Sequence, residues 1–427
     1  MNYLFKAICL SIVIVSIAFS CGNSASKVTS ADTIIKKTAV NEIDTGSFFM
    51  KPVAPGAHNF DGYLTHINEK RIAIVVNQTS VVGNTHLVDT LLKLNQKVKK
   101  IFAPEHGFRG DHGAGESVKS GIDVKTKLPI ISLYGSHKKP TKEDLANIDV
   151  VVFDIQDVGA RFYTYLSTMH YVMEACAENN IKMIVLDRPN PNGFYVDGPI
   201  LEKAHSSFVG MHPIPIVHGM TLGELALMIN GEGWLNNKVK ADLTVIKVSN
   251  YHHNRVYQLP VKPSPNLPSQ ASIYLYPSLC LFEGTNISVG RGTDKPFECF
   301  GKPGLKDVNY RFTPKSIAGV ADNPPFNGSL CNGVLLTSFG ENYIPNYQRI
   351  YLEWLILTYK QAKLNKETFF TEFFTKLAGT ATLQAQIEAG KTQQEIYDSW
   401  KPGLESFKKQ RQPYLLYGYK ENGGLFD

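Results

Sequence analysis

Short apolar runs alternate with amphipathic stretches along much of the chain from residue 71 onward. Each run has the length and unbroken hydrophobicity of a strand that is buried on both faces. Because such strands need helices on both sides of their sheet, the alternation predicts a Rossmann-like α/β domain with a parallel sheet over about 71–270. The five predicted strands are Arg71–Val76, Val98–Ala103, Pro129–Leu133, Asp149–Phe153 and Lys182–Leu186.

Apolar residues between these runs recur every three or four positions, as they do in amphipathic helices. Threonines stand where three of these patterns begin, and a threonine side chain can cap a helix N terminus. Two of them are followed by an acidic residue at capping-box spacing. Helices are predicted after Thr85, after Thr141 and from Thr221 to about Ile229, and a fourth carries Phe162, Tyr165, Met169, Met173 and Cys176.

The pattern changes beyond residue 260, where four prolines within nine positions exclude regular structure. We therefore predict a boundary near residue 275, between a catalytic domain over 61–275 and a smaller α+β domain over 276–427 that lines the cleft. Helical patterns in the second domain lie at Tyr351–Ala362, Lys366–Leu377 and Gln393–Lys409, the last interrupted at Pro402-Gly403.

The N terminus has the pattern of an export signal. Lys6 precedes an apolar run from Ala7 to Phe19 that is too short to span a membrane, and small residues then lead to Cys21. We expect 1–20 to be a signal peptide, Cys21 to be lipidated as in a bacterial lipobox, and 21–60 to be a tether. The protein would then be a membrane-anchored lipoprotein, periplasmic or at the cell surface, with ordinary secretion as the alternative.

Composition narrows the class of protein. The 427 residues include 44 basic and 38 acidic side chains, a formal net charge of +6, and 43% are hydrophobic, which excludes a disordered or fibrous chain. No block of Lys and Arg stands out, so no nucleic-acid partner is expected. Beyond Cys21 the cysteines lack metal-site spacing. Cys176 is expected to be a core thiol, and a disulfide among Cys280, Cys299 and Cys331 stays open.

Polar side chains follow the predicted strands at the point where each strand ends. Ligands of an open parallel sheet bind beyond the carboxyl ends of its strands, so these side chains are expected to share one pocket. A single such loop is explained by a helix cap or a salt bridge, whereas four of them favour a binding site. The side chains are Asn77 after the first strand; Glu105, His106 and Arg109 after the second; Asp154, Gln156, Asp157 and Arg161 after the fourth; and Asp187, Arg188 and Asn190 after the fifth.

This set is suited to glycoside hydrolysis, which needs one protonated carboxyl group and one ionised carboxylate. Glu105 and Glu116 lie on one glycine-rich loop and are the candidate pair. Asp154 and Asp187 are as suited to orienting loops or binding hydroxyls as to reacting.

Motifs for several other chemistries are missing from the sequence. The first strand is not followed by GxGxxG, and no GxSxG elbow occurs, so neither dinucleotide binding nor an α/β-hydrolase mechanism is supported. His106 and His112 are metal-ligand types, but their spacing matches no recognised metal motif. We therefore expect no cofactor and no metal.

Other residues are candidates for binding substrate. Tyr163 is expected to stack on the apolar face of a sugar ring. His218, just before a capped helix, is expected either to face the site or to be a structural histidine with its hydrogen bonds satisfied. Arg161 or Arg291 would pair with a carboxylate on the substrate. The candidates in the second domain, where a cleft between domains would be lined, are Glu283, Asn286 and Arg291.

Five longer runs are PEHGFRG (104–110), DIQDVGARFYTY (154–165), LDRPNPNG (186–193), SPNLP (264–268) and FEGTNISVGRGTDKPFE (282–298). In this order they resemble the NamZ-like exo-β-N-acetylmuramidases of bacteria, and the similarity covers about residues 60–427. The resemblance implies an enzyme that releases N-acetylmuramic acid from the non-reducing end of peptidoglycan fragments. It also implies a Rossmann-like catalytic domain, a smaller C-terminal domain and a cleft between them.

The resemblance places the family's motif glutamate at Glu105 and its second catalytic carboxylate at Glu116. Glu105 is then expected to act as general acid, with a raised pKa, on muramyl saccharides derived from peptidoglycan. Retention or inversion at the sugar depends on the separation of the carboxyl groups and stays open. A cell-surface lipoprotein that only binds sugar or peptide, and a metal-dependent hydrolase, are the alternatives.

Overall fold

The computed structural model describes residues 51–108 and 120–419. The strands in these ranges are β1 (Ile72–Val76), β2 (Val81–Val82), β3 (Thr85–His86), β4 (Val98–Ala103), β5 (Gly121–Ile122), β6 (Pro129–Ser132), β7 (Val150–Asp154), β8 (Lys182–Leu186), β9 (Leu243–Ile246), β10 (Cys299–Lys302), β11 (Tyr310–Phe312) and β12 (Cys331–Leu335). The helices are α1 (Phe60–Ile67), α2 (Leu87–Lys93), α3 (Tyr165–Glu178), α4 (Leu222–Gly231), α5 (Gln270–Leu279), α6 (Thr337–Asn342), α7 (Ile344–Tyr347), α8 (Glu353–Leu364), α9 (Phe373–Ala378), α10 (Thr382–Glu388) and α11 (Gln393–Arg411).

A seven-stranded sheet organises the first part of the chain, in the order β5-β6-β4-β1-β7-β8-β9. All neighbouring strands are parallel except β5, which pairs antiparallel with β6 at one edge. From the central β1 the chain moves outward through β4 and β6, and then returns to build the other half from β7 to β9. This is the strand order of a doubly wound Rossmann sheet, so the predicted fold is confirmed.

Both faces of the sheet are covered, because successive side chains of a strand point to opposite faces. In β1, Ile72, Ile74 and Val76 belong to a core shared with α1 and α2. The alternate residues Ala73 and Val75 belong to a larger core on the other face, shared with α3 and α4. All five are fully buried, which explains why these strands read as continuous apolar runs.

The second part of the chain is smaller and mixes helices with a three-stranded antiparallel sheet, β10-β12-β11. Its buried residues, among them Leu275, Phe300 and Leu355, extend the larger core beneath α3 and α4. The prolines from 260 to 268 lie in irregular chain, as predicted. The residues around the predicted boundary at 275 form α5, and the division into two domains stays a prediction.

The sequence signals for helix starts gave mixed results. Thr221 and Glu224 form the predicted capping box, and α4 follows. The predicted cap at Thr85 is wrong, because Thr85 lies in β3 and the imidazole of His86 accepts the N–H of Val88 at the start of α2.

Two further helix predictions fail for local reasons. Thr141 and Asp144 exchange both hydrogen bonds of a capping box, but only turns follow. Asn147 has a φ of 60°, a left-handed conformation that ends the turn before a helix forms. Phe162 lies before α3, which begins only at Tyr165.

The C-terminal helices also differ from their predicted extents. Lys366 has a φ of 57°, so the chain leaves the helical conformation after α8 and re-enters it only in α9. Pro402 does not interrupt α11. A proline removes one helical hydrogen bond, but Trp400 and Leu404 on either side of it are buried in the core and stabilise the helix across this point.

Within residues 51–108 and 120–419, no helix is both long and apolar enough to cross a lipid bilayer. The cysteines in these ranges are Cys176, Cys280, Cys299 and Cys331, and all four are buried free thiols. Cys176 belongs to the larger core, as predicted.

The chain after α11, residues 412–419, forms a C-terminal strap that returns to the first sheet. The hydroxyl of Tyr417 donates to Asp187, just beyond β8, at 2.7 Å. The backbone N–H of Leu416 donates to Glu224 at the start of α4, also at 2.7 Å. Both carboxylates are fully buried, so the strap supplies donors that they cannot obtain from water.

Asp157 is buried in the loop between β7 and α3. Its Oδ1 accepts the N–H of Gly159 at 2.7 Å, whereas its Oδ2 has no hydrogen-bond partner among the described residues. Burial raises the pKa of Asp157 from 3.8 to about 7. The titratable neighbours Tyr163 and Tyr165 have pKa values raised by burial and are neutral. Asp157 therefore remains protonated below about pH 7.

Replacing Tyr417 by Phe removes the hydroxyl that serves both Asp187 and the backbone N–H of Val248. We expect the free energy of unfolding to fall by about 1–3 kcal/mol, because buried polar groups lose their partner. Urea unfolding followed by circular dichroism measures the change. In the control Tyr414→Phe the lost partner is the exposed Glu232, so the change should stay below about 0.5 kcal/mol. Equal losses in both variants would contradict the role of the strap.

Asp157→Asn should change how stability depends on pH. Between about pH 4 and pH 7 the unfolded carboxyl group ionises while the folded one stays protonated, so the wild type loses stability as the pH rises. Asn does not ionise, so we expect the variant to gain up to about 4 kcal/mol relative to the wild type over this interval. Urea unfolding at pH 4 to 8 measures the difference. Parallel curves for the two proteins would show that Asp157 is already ionised in the fold.

Candidate active site

A cavity of about 350 Å³ lies where β4, β6 and β7 end. It is lined by the loops after these three strands, by Phe208 and Val209, and by chain from residue 264 onward. Its volume is at the small end of the range for ligand pockets. Polar and apolar side chains are mixed in its lining, which is suited to a ligand with hydroxyl groups and an apolar face.

Glu105 reaches the cavity from a tight turn directly after β4. The N–H of Gly107 donates to the carbonyl of Pro104 at 3.0 Å, and His106 has a φ of 71°. A positive φ at this position is typical of a type II turn and is costly for any residue other than glycine. The strained turn directs Glu105, which is partly buried, and His106 toward the cavity.

Two hydroxyl groups accompany the Glu105 carboxylate. Thr164, immediately before α3, donates to Glu105 Oε2 at 2.6 Å. Tyr134, just after β6, is hydrogen-bonded to Glu105. Burial raises the pKa of Tyr134, and the charge of Glu105 and this hydrogen bond raise it further. The Tyr134 phenol therefore stays protonated and can donate. Neither residue was predicted, although both stand in loops that follow predicted strands.

An arginine–glutamate pair also lines the cavity. Arg291 Nε and Nη2 contact the two carboxylate oxygens of Glu283 at 2.5 and 3.2 Å. The guanidinium lies 4.9 Å from the ring centre of Phe297. Burial lowers the pKa of Arg291, but the charge of Glu283 and the hydrogen bonds to it raise the pKa by more. The pKa of Arg291 therefore lies above its ordinary value, and the guanidinium is cationic. Cys280 donates to Glu283 at 3.6 Å and has a pKa raised by burial, so it is a neutral thiol.

The aromatic lining differs from the prediction. Tyr163 lines the cavity but is only 6% exposed, and its ring packs edge-to-face against Tyr165 and Tyr276. Its hydroxyl donates to the carbonyl of Pro263 at 2.8 Å. Sugar stacking is therefore better suited to Phe373 on α9, which lines the cavity and is 37% exposed. Phe373 carries no strand-end signal in the sequence and was missed.

Most of the other strand-end residues do not line the cavity. Asp154 and Arg188 form a bidentate ion pair, with contacts of 2.5 and 2.8 Å, between the ends of β7 and β8. Asp187 accepts from Thr221 and Gly223 at the start of α4, as well as from the strap. All these side chains are buried and are used by protein partners, so the expectation that they share a substrate pocket with Glu105 does not hold.

The amides at the same sheet edge are used in the same way. Asn77 accepts from the backbone and hydroxyl of Thr79. Gln156 donates to the carbonyls of Asp157 and Pro189, and Asn190 to that of Met220. These three amides do not line the cavity, and neither does Asp157. They connect the loops after β1, β7 and β8, which positions the cavity wall indirectly.

Arg161 is also structural rather than substrate-facing. Its guanidinium is buried and donates to four backbone carbonyls. Among the described residues, Arg291 is the arginine that lines the cavity. The four acceptors are Pro199, Ile214, Leu377 and Ala378.

Two other predicted binding residues lie away from the cavity. His218 is buried, and its ring nitrogen accepts the N–H of Met220. Burial, followed by the charge of Arg411, lowers its pKa to about 3, so it is neutral. Asn286 donates to Glu367 at 3.2 Å. Neither side chain lines the cavity.

Several predictions fall outside the described residues, namely Arg109, Glu116, the lipidation site Cys21, the signal peptide 1–20 and most of the tether 21–60. Among residues 51–108 and 120–419, no group of three or more His, Cys, Asp or Glu side chains is placed to hold a metal ion.

Comparison with known proteins gives consistent results. A curated relative, the peptidoglycan β-N-acetylmuramidase NamZ of Bacillus subtilis (strain 168), is 42% identical over 384 residues, which are 83% of this chain and 89% of the relative. Two crystal structures of DUF1343 family proteins from Bacteroides fragilis NCTC 9343 have the same fold. The first has a TM-score of 0.79 at 48% identity and covers 87% of this chain and 100% of its own. The second has a TM-score of 0.72 at 28% identity and covers 86% of this chain and 99% of its own.

Two family models match the chain in succession. The model of the N-terminal part of the exo-β-N-acetylmuramidase NamZ matches residues 72–271, and that of the C-terminal part matches 274–417. Together they span the sheet, the cavity and the C-terminal helices. The resemblance found in the sequence is therefore confirmed, and the chain belongs to the exo-β-N-acetylmuramidase NamZ family.

Proposed function

We propose that this protein is an exo-acting glycosidase that releases N-acetylmuramic acid from the non-reducing end of peptidoglycan fragments. The observation that carries the proposal is Glu105, a carboxylate bound by a hydroxyl group in a cavity at the sheet edge. Membership of the NamZ family supports both the reaction and the sugar. A cavity of about 350 Å³ favours one terminal sugar over an extended glycan strand.

In this proposal Glu105 enters the reaction in its protonated form. As the general acid it transfers that proton to the glycosidic oxygen while the bond to the leaving sugar breaks, and it becomes a carboxylate. Thr164 and the neutral phenol of Tyr134 orient the carboxyl group, since both contact it. Glu116 is proposed as the second carboxylate, because it matches the family pattern and follows Glu105 by eleven positions on the same loop. It would act as nucleophile or base on the other side of the sugar.

Arg291 binds the lactyl carboxylate of N-acetylmuramic acid in this proposal. Two of its guanidinium nitrogens are used by Glu283, and its Nη1 donates no hydrogen bond within the part of the chain that the structure describes. Glu283 and the ring of Phe297 hold the Arg291 guanidinium in a fixed orientation, so it is well placed to donate to one more anionic oxygen. N-acetylglucosamine lacks this carboxylate, so Arg291 would distinguish the two sugars.

Export and lipid anchoring are part of the proposal. The apolar run from Ala7 to Phe19 after Lys6, followed by Cys21, supports a signal peptide and a lipidated cysteine. A membrane-anchored enzyme in the periplasm or at the cell surface would meet peptidoglycan fragments directly.

Glu105→Gln should lower kcat/KM for a chromogenic β-N-acetylmuramide by at least about a hundredfold, because general acid catalysis contributes 10²–10⁴. The release of chromophore by the purified protein measures the rate. The control Glu341→Gln changes an exposed glutamate on α6 and should keep the wild-type rate. A folded Glu105→Gln protein with wild-type activity would exclude Glu105 as the acid. A wild type that releases no chromophore would favour a binding protein.

Arg291→Ala should weaken binding of N-acetylmuramic acid by about tenfold or more, because a hydrogen bond to a charged group contributes about 1.5–3 kcal/mol. Binding of N-acetylglucosamine should change much less, and calorimetry measures both. The control Arg349→Ala removes an arginine that lies over the ring of Tyr397, outside the cavity lining. If Arg291→Ala weakened both sugars equally, Arg291 would not be the residue that binds the lactyl group.

A further inference from the structure

Most residues of the cavity lining are buried or partly buried, whereas four are exposed and form its rim. Three of the four lie on one loop, residues 317–325 between β11 and β12, which we call the rim loop. A ligand that contacts Glu105 and Arg291 passes these exposed side chains where it leaves the cavity. The four rim residues are Asp322, Asn323 and Pro325 on the rim loop, and Phe373 on α9.

Backbone hydrogen bonds fix the conformation of the rim loop. Ile317 and Ala321 exchange both hydrogen bonds of an antiparallel bridge, at 3.0 and 2.8 Å. The hydroxyl of Ser316 donates to the backbone carbonyl of Asp322 at 2.6 Å. The position of Asp322 is therefore set before a ligand arrives, and binding would not have to order the loop.

The rim loop also packs on the deeper wall of the cavity. Asn266 donates from its side chain to the carbonyl of Val320 at 2.7 Å. Pro324 is buried against Gly292, the residue after Arg291, so closely that a Cβ at Gly292 would lie 2.7 Å from the proline ring. The rim loop and Arg291 are thus parts of one packed wall.

The carboxylate of Asp322 is accessible to a ligand. The residue is exposed and lines the cavity, and its side chain makes no hydrogen bond or ion pair within residues 51–108 and 120–419. The fold therefore does not depend on this side chain. A carboxylate can only accept, and its two oxygens can serve two donors at once. It is complementary to neighbouring hydroxyl groups, which a sugar presents.

The second sugar of the substrate has to lie at this rim. In the proposed reaction the cavity of about 350 Å³ holds one terminal sugar, and Glu105 protonates the oxygen that joins it to the next one. The next sugar is the leaving group, and it extends outward past the exposed side chains. N-acetylglucosamine in this position carries free hydroxyl groups on both sides of the glycosidic oxygen, so donors lie close to the bond that breaks.

We propose that the rim loop is the binding site for the leaving sugar, and that the Asp322 carboxylate accepts hydrogen bonds from its hydroxyl groups. The inference rests on the proposed function and deepens it, because it assigns a residue to the second sugar of the substrate. Asp322 selects the leaving group, whereas Arg291 selects the terminal sugar.

The test compares two substrates of the full-length protein that share N-acetylmuramic acid and differ in the leaving group. One is the disaccharide in which it is joined to N-acetylglucosamine. The other is a chromogenic β-N-acetylmuramide whose nitrophenyl group has no O–H or N–H donor. For both substrates kcat/KM reports the free energy of the transition state relative to free enzyme and substrate, so it includes contacts to the leaving group.

We expect Asp322→Ala to lower kcat/KM for the disaccharide by at least about fivefold, because hydrogen bonds to a charged group are lost. The value for the nitrophenyl substrate should fall by less than about twofold. Chromatography of released N-acetylmuramic acid and absorbance of released nitrophenol measure the two rates. Equal losses would place Asp322 against the terminal sugar, and an unchanged disaccharide rate would exclude the contact, so either result would overturn the inference.

Asp242 offers a matched control. It is an exposed aspartate just before β9, lies outside the cavity lining, and makes only a 3.6 Å contact with Lys182 through its carboxylate. Asp242→Ala removes the same charge as Asp322→Ala and should leave the ratio of the two rates unchanged. A change in that ratio as large as that of Asp322→Ala would assign the effect to net charge and contradict the proposed contact.

The ratio also guards against incomplete folding, because both rates come from one preparation and an unfolded fraction lowers them equally. The outcomes separate this inference from the proposed function. Wild-type protein that cleaves both substrates, with Asp322→Ala unchanged on each, would overturn the role of Asp322 alone. Wild-type protein that cleaves neither substrate would overturn the proposed function and this inference together.

Discussion

The buried ion pair between Asp154 and Arg188 determines where a ligand can lie on this sheet. Both carboxylate oxygens are bound by the guanidinium, and the two side chains are 0% and 3% exposed. The hydroxyl of Ser80 donates to the backbone carbonyl of Asp154, which brings the loop after β1 into the same contact. These contacts occupy the crevice between β1 and β7, where doubly wound sheets usually bind ligands. The cavity lies beside this crevice, where β4, β6 and β7 end and where Glu105 is.

This displacement explains the different environments of the acidic residues. Asp154 and Asp187 are fully buried and bound by protein donors, so they hold strands and helices together. Glu105 is partly buried, accepts from a hydroxyl group and lines the same cavity as Arg291. A carboxylate that meets a ligand must remain accessible, and of these three only Glu105 does.

The sheet was predictable because its strands are buried on both faces, which gives each one a continuous apolar sequence. All five predicted strands occur, with ends that agree within one residue. The roles of the polar strand ends were not predictable in the same way. Glu105 and Asp187 look alike in sequence, since each follows a buried strand, but the partner that occupies Asp187 is Tyr417, 230 positions later. The same rule could have identified Tyr134 and Thr164, because both follow strands. Phe373 lies far along the chain, and only the folded structure brings it to the cavity.

The long separation between Asp187 and Tyr417 has a consequence for synthesis. Domains generally fold as their chain emerges from the ribosome, N-terminal part first. The first sheet is complete in sequence once β9 has been made, but Asp187 then still lacks one donor, and Arg161 lacks its acceptors Leu377 and Ala378. The last hydrogen bonds of the N-terminal part are therefore made by the C-terminal part, which is synthesised last. A polypeptide that ends before α9 would lack one donor to Asp187 and two acceptors of Arg161.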